Sequence, residues 1–312
     1  MGGGMATVDI GGPSMTWTPG PLVARRRLGA ELRRLRDDSG LKLEAVAAKL
    51  ECSLSKISRL ETGKGIPRYR DVRDILRVYG IEEDDDVGRR LLDWSRIGRT
   101  STWWSDYADV LPPKFDEYVE LEWDASRIDA YEPQIVHGLL QTAEYASGVL
   151  EDAYVPQRRR DEVRRLVDVR LRRQVALRRE HGLTIRCFLD ESALYRVVVS
   201  DNVLQAQIEH LVRLMDEPNI DVRILPFRAG VFTNNLNAFS IVEVSGVGEL
   251  VHLETSEGTA ILDDSGSLAR HKEVLTRIEE AALSRGDTLA LLNATAGDLR
   301  RSGADPAGRS LT

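Results

Sequence analysis

Cysteine is nearly absent: Cys52 and Cys187 are the only two, far apart, with no Cys or His at metal-ligand spacing around either. That excludes a disulfide framework and argues against a zinc site, so a reducing compartment is expected. No stretch approaches the roughly 18 uninterrupted apolar residues of a membrane-crossing helix, and the N-terminus lacks the basic start and apolar core of a secretory signal. Met1-Gly2 is not read as a myristoylation site, because Ala6 stands where that motif needs Ser or Thr. The expected location is the cytoplasm, with no membrane association. Histidines are few, and His137, His181, His210, His252 and His271 are scattered without a His-Glu-x-x-His arrangement or a Ser or Cys nucleophile motif nearby. No metal, cofactor or catalytic role is therefore expected, and the chain is not read as an enzyme. Gly246 and Gly248 lack the third glycine and following helix of a phosphate loop, and read as a hairpin turn between Val244 and Leu250.

What is present is an ordinary globular composition, 42% hydrophobic and 30% charged over 312 residues, long enough for about two domains. The net charge of −7 hides an asymmetry. Leu22 to Ile81 holds 15 Lys plus Arg against 8 Asp plus Glu, a balance of +7, so the remaining residues carry −14. A basic segment joined to an acidic remainder points to a nucleic-acid-binding module fused to something else.

Residues 1–21, rich in Gly, Pro, Ser and Thr, read as a flexible leader. From Leu22 the pattern turns helical, with Leu28, Leu32 and Leu35 on one face and Ser39-Gly40 as a stop. Helices are predicted at about 43–50, 53–61 and 69–79, and a fifth from the acidic run at 82–86 through Ile97, whose carboxylates suit a helix start. The predicted fold is an N-terminal all-α helix-turn-helix domain of four to five helices over 22–99, a larger α+β domain over 100–297, and a disordered tail over 298–312. In the second domain, 121–148 and 156–181 read as helices, 184–189, 220–225, 239–244 and 250–253 as strands, and 202–215 and 268–283 as helices. The arginine-rich 158–179, with ten arginines, reads as a surface helix whose buried stripe is Val163, Val167, Leu171 and Val175.

The stretch LEAVAAKLECSLSKISRLETGKG carries the chemistry. Two short helices and a tight turn are followed by a helix whose first turns hold small and basic residues, as entry into the major groove requires. Ser53 is the expected N-cap, with Leu54, Ser55, Lys56, Ser58 and Arg59 outward and Ile57 and Leu60 inward. Lys56 or Arg59 suits guanine acceptors and Leu54 a thymine methyl, while Lys42, Lys64 and Arg68 are placed to hold phosphates. The alternative is a plain helical bundle with a basic, solvated face.

These residues resemble the lambda-repressor-like, or xenobiotic-response-element, family of helix-turn-helix regulators over Leu28 to Ile81, closest in SLSKISRLETGK. The resemblance implies operator contacts on the recognition helix and a small residue, Ala47, at the helix contact. Glu51 stands where the turn usually has Gly, and Lys42 replaces the usual Thr cap. Residues 103–292 resemble the C-terminal domain of actinomycete helix-turn-helix regulators described as antitoxin-like, through LEWDASRIDAYEPQIVHGLLQTAEYA, LDESALYRVVV and QIEHLVRLMDEPNIDVRILPFRAG. His137 sits where a Pro normally precedes Gly-Leu-Leu-Gln-Thr. The resemblance implies partner binding or signal reception.

Glu122, Tyr131, Glu132, Gln141 and Tyr145 are candidates to line a ligand or partner pocket, against the alternative of contacts inside the domain. Trp103 and Trp104 are interface anchors or plain core. The expectation is a homodimeric transcription regulator on double-stranded operator DNA whose second domain senses a ligand or partner. The rival reading is an antitoxin-like protein that binds a small partner encoded by a neighbouring gene, with autoregulatory DNA binding.

Overall fold

The computed structural model describes residues 19–153, 159–179, 182–196, 200–229, 237–255 and 258–304. Residues 1–18 of the expected leader and 305–312 of the expected tail lie outside the described residues.

Five helices form the first unit: α1 (Pro21–Asp38), α2 (Leu43–Lys49), α3 (Leu54–Glu61), α4 (Tyr69–Val78) and α5 (Asp86–Ile97). Pro21 opens α1, where its missing N–H costs nothing, and Gly40, at φ +65°, turns the chain beyond its C-terminus. Leu28, Leu32, Val46, Ala47, Ile57, Leu60, Val72, Ile75, Leu76, Leu91 and Leu92 are buried together. At about 1.5 to 3 kcal/mol per large side chain, this core far outweighs any single strained residue. Gly29 permits a close helix crossing, since a Cβ there would lie 2.5 Å from the Leu60 carbonyl oxygen.

The second unit is α+β. Its mixed six-stranded sheet runs β3-β2-β1-β4-β5-β6, from β1 (Ala125–Glu132), β2 (Thr184–Asp190), β3 (Ile220–Leu225), β4 (Phe239–Val244), β5 (Gly248–Thr255) and β6 (Gly258–Leu262). The first three are parallel to one another, and β1 pairs antiparallel with β4, as do β4 with β5 and β5 with β6. Helices α6 (Phe115–Asp124), α7 (Ala143–Ala153), α8 (Arg160–Arg173), α9 (Asp201–Leu214), α10 (Ser265–Ala281) and α11 (Arg285–Ala304) surround it. Period-2 alternation splits the sheet: Ile128, Ala130, Ile185, Cys187, Val222, Ile224, Val242 and Val244 join the main core, while Tyr131, Phe188, Phe239 and Ile241 face Leu275 and Ile278 of α10. The β4–β5 turn has Gly246 at φ +73° and Gly248 at φ +103°, so these glycines do form a hairpin.

Several expectations are corrected. The predicted helix over 121–148 is broken by β1, whose buried Asp129 obscures the strand pattern and is matched instead by Arg127 and Arg186. Strand β6 was not expected. Helix α11 runs through 298–304, where a tail was predicted, because Leu292 and Ala296 are buried in a helix that packs along α9. The stripe of α8 is Val163, Leu166 and Val169, whereas Leu171 and Val175 are exposed; spacing of strictly four drifts off a 3.6-residue period. The helix is described from Arg160, residues 154–158 lying outside the described set. Trp104 is buried core, and half-buried Trp103 packs against it edge-on at 5.4 Å, with half-buried Trp123 near both.

Candidate nucleic-acid interface

Helix α3 begins as the sequence requires. The Ser53 hydroxyl accepts from the Lys56 amide at 3.2 Å, satisfying one orphan donor of the first turn. Lys42 caps α2 without a side-chain hydrogen bond. Glu51 adopts φ +50°, the left-handed conformation normally left to Gly. Ile57 and Leu60 are buried while Ser53, Leu54, Ser55, Lys56 and Arg59 are exposed and Ser58 half-buried, so α3 presents its polar face to solvent.

The far end of α3 is held by chemistry within the Ser-x-x-Glu-x-Gly stretch. Arg36 of α1 reaches Glu61 with Nε–Oε1 at 2.7 Å and Nη2–Oε2 at 3.1 Å, and also donates to the Leu41 carbonyl. This paired fork fixes α3 against α1. Gly63, at φ +69°, has no room for a Cβ beside the Arg26 backbone.

Of the fifteen basic residues between Leu22 and Ile81, eight are engaged in ion pairs: Arg25, Arg26, Arg33, Arg34, Arg36, Lys56, Arg73 and Arg77. Arg27 donates to the Ser245 carbonyl. The other six, Lys42, Lys49, Arg59, Lys64, Arg68 and Arg70, are exposed and form no ion pair with any described residue. All six fall between the start of α2 and the first turn of α4, around the recognition helix. Lys42, Arg59, Lys64 and Arg68 were expected; Lys49 and Arg70 were passed over, though each is a cation at a terminus of its helix. Lys56 differs from the expectation, because its Nζ lies 2.8 Å from Asp71 of α4. An exposed pair of this kind is worth at most about 1 kcal/mol.

The two units meet across α1 and α6. Asp124 accepts from the Gly20 amide at 2.6 Å and Glu120 from the Leu22 amide, so two carboxylates of the second unit cap the first helix of the DNA-binding unit, which has no side-chain cap of its own. Arg25 lies 3.7 Å from Glu120. Burial pushes Glu120 up to about 8 and Asp124 up to about 6.

The opposite face of α6 lines a polar cavity that opens to the surface. Tyr118, Glu132, His137, Gln141, Arg170, Arg173, Ser240, His252 and Glu254 surround it, and a second cavity, lined by Phe115, Leu166 and Val169, shares Arg170, Arg173 and Glu254 with it. Arg173 grips Glu122 through two 2.7 Å bonds, which outweigh its burial and raise its pKa. Arg170 donates to Gln141 at 2.7 Å. Burial and Arg173 keep His137 neutral, at about 3, and push His252 well below its usual range.

The candidates of the second unit therefore separate. Glu132 and Gln141 line the cavity and Glu122 anchors its Arg173. Tyr131 does not belong, since successive strand residues point to opposite faces. Tyr145 is fully buried core, its hydroxyl facing the Val136 amide at 3.5 Å. His252 and Glu254 escaped the sequence reading, although alternation along LVHLET puts both on the face of Leu250, an inward polar signal.

No helix of the described residues is long and apolar enough to cross a membrane, and no group of three or more His, Cys, Asp or Glu among them is placed to hold a metal ion. Residues 27–89 match the family described as a helix-turn-helix domain. Residues 115–294 match the family described as Domain of unknown function (DUF5753). No curated protein and no solved structure matches the chain.

Proposed function

The chain belongs to the Domain of unknown function (DUF5753) family, which covers more than half of it, and carries a helix-turn-helix DNA-binding domain; from this we propose that it is a sequence-specific, lambda-repressor-like transcription regulator of the cytoplasm. It works as a binding protein rather than an enzyme. Two copies read two half-sites, each inserting α3 into the major groove, and the C-terminal domain couples a signal to operator affinity.

The observation that carries this reading is the distribution of the six unpaired cations. Between Leu22 and Ile81 the basic residues away from α3 are engaged in ion pairs or, for Arg27, with the Ser245 carbonyl, while six around α3 are left for phosphates. Arg59 is the leading base reader, with a fork that fits guanine O6 and N7. The carboxylate caps from α6 supply the coupling, because any shift of α6 moves the groups that hold the start of α1.

The test is binding of the full-length protein to the promoter of its own gene across salt. Six to ten phosphate contacts predict a loss of about 10³- to 10⁵-fold between 50 and 200 mM. A flat response removes the reading.

A further inference from the structure

The cavity beneath α6 is built like a ligand site and is not satisfied by the protein's own groups. His252 Nε2 and the Tyr118 hydroxyl are both buried without a well-formed hydrogen bond, the latter with only Ser240 in reach. Each belongs to a side chain more than nine-tenths buried that lines the cavity. His252 is held in place by stacking on Tyr118, with ring centroids 3.5 Å apart and planes 9° from parallel. The sheet register fixes the floor, placing Ala130, Ser240 and His252 in one row across three strands. Glu132 and Glu254 lie two residues further along β1 and β5, on the same face.

Carboxyls outnumber cations there, and burial holds a proton on one of them, Glu132. Three carboxyls, those of Glu122, Glu132 and Glu254, meet two guanidinium groups, those of Arg170 and Arg173. Glu122 takes Arg173 entirely, and Arg170 spends one donor on Gln141. No hydrogen bond to a described residue satisfies either remaining carboxyl. Glu132 lies deep yet keeps part of its surface open to the cavity, and desolvation with Glu254 opposite pushes its pKa well up. Glu254 is exposed at the mouth. An anion would find no uncommitted cation beside it, whereas a cation can take the place of the proton that burial keeps on Glu132.

We infer that the cavity receives a small organic cation, a protonated primary amine on a short apolar body, with its ammonium between Glu132 and Glu254 and its other polar group on His252 Nε2 or the Tyr118 hydroxyl. The neighbouring cavity, which shares Arg170, Arg173 and Glu254, offers Phe115, Leu166 and Val169 to the body. This rests on the reading of the C-terminal domain as the signal-receiving part of the regulator. Neutral His252 suits the role, because a charged imidazole would repel the ligand.

The full-length protein is titrated by calorimetry with 1,4-diaminobutane and ethanolamine, and with 1,4-butanediol and butyrate as neutral and anionic matches at equal ionic strength. The amines are expected to bind saturably and raise the melting temperature, the other two to do neither. Glu254→Gln, a change at an exposed rim that leaves folding intact, and Glu132→Gln should each weaken amine binding at least about tenfold, as loss of a charge-assisted bond implies. Amines that bind no better than the diol, tighter binding of butyrate, or unchanged affinity in Glu254→Gln overturns the inference. Operator binding measured on the same preparations separates the two readings: intact operator binding without amine binding sinks the cavity alone, and the reverse sinks the regulator alone.

Discussion

Arg59 and Lys64, five residues apart, are proposed to have different tasks. Arg59 lies on the exposed face of α3, unpaired, with a planar fork; Lys64 is an exposed point charge just past the helix end. Arg59→Ala is expected to lower operator affinity by about 1 to 3 kcal/mol and to relax specificity at the base it reads. Lys64→Ala should weaken all duplexes alike and reduce the salt slope by about one. Binding isotherms on operator and scrambled duplex distinguish these outcomes, and equal losses on both duplexes for Arg59→Ala would remove its assignment. Glu51 tells a complementary story: its left-handed conformation costs about 1 to 2 kcal/mol, and the core around α2 and α3 tolerates that because it is several times larger.

Helix α6 is the element on which the proposed coupling depends. Residues four apart share a helix face and those two apart oppose it, so Tyr118 and Glu122 face the cavity while Glu120 and Asp124 hold the start of α1. Both junction carboxyls titrate above their ordinary values of 4.5 and 3.8, at about 8 and about 6, chiefly because they are buried. The folded chain then holds protons that the unfolded chain has released. The stability that Glu120 contributes is consequently fully present below its ordinary carboxylate range and is lost as pH rises from about 4.5 to about 8. Glu120→Gln keeps an acceptor for the Leu22 amide but cannot ionise. Calorimetric melting should show the wild-type midpoint falling across that window and a flatter course for the variant; parallel curves would refute the assignment to Glu120.

Across the whole molecule, charge is partitioned by use. The +7 of Leu22 to Ile81 overstates what DNA can feel, since Arg25 and Arg26 are paired with Glu120 and Asp263 of the second unit. Those contacts seat α1 on the acidic domain, and the free cations remain around α3. For a two-fold dimer the two recognition helices must meet the duplex one helical turn apart, about 34 to 36 Å. Footprinting of the full-length protein is expected to give two protected half-sites at that spacing on one face of the duplex. A single short protected patch would exclude the paired arrangement.

The helix-turn-helix was legible in advance because its signals are local. Ser53 caps the next turn, Ile57 and Leu60 follow a 3.6-residue period, and Gly63 stops the helix within a few residues. Strands β2, β3 and β4 were visible for the same reason, as short apolar runs between breaks. Strand β1 and helix α11 were not, because one hides its polar Asp129 in pairs with Arg127 and with Arg186 from β2 and the other owes its burial to α9. The same holds for the cavity: Tyr118, Glu132, Arg173 and His252 come from four separate elements, and no spacing along the chain brings them together. Local pattern sets which residues turn inward; which inward polar groups meet, and which cations stay unpaired, follows from packing between elements distant in the chain.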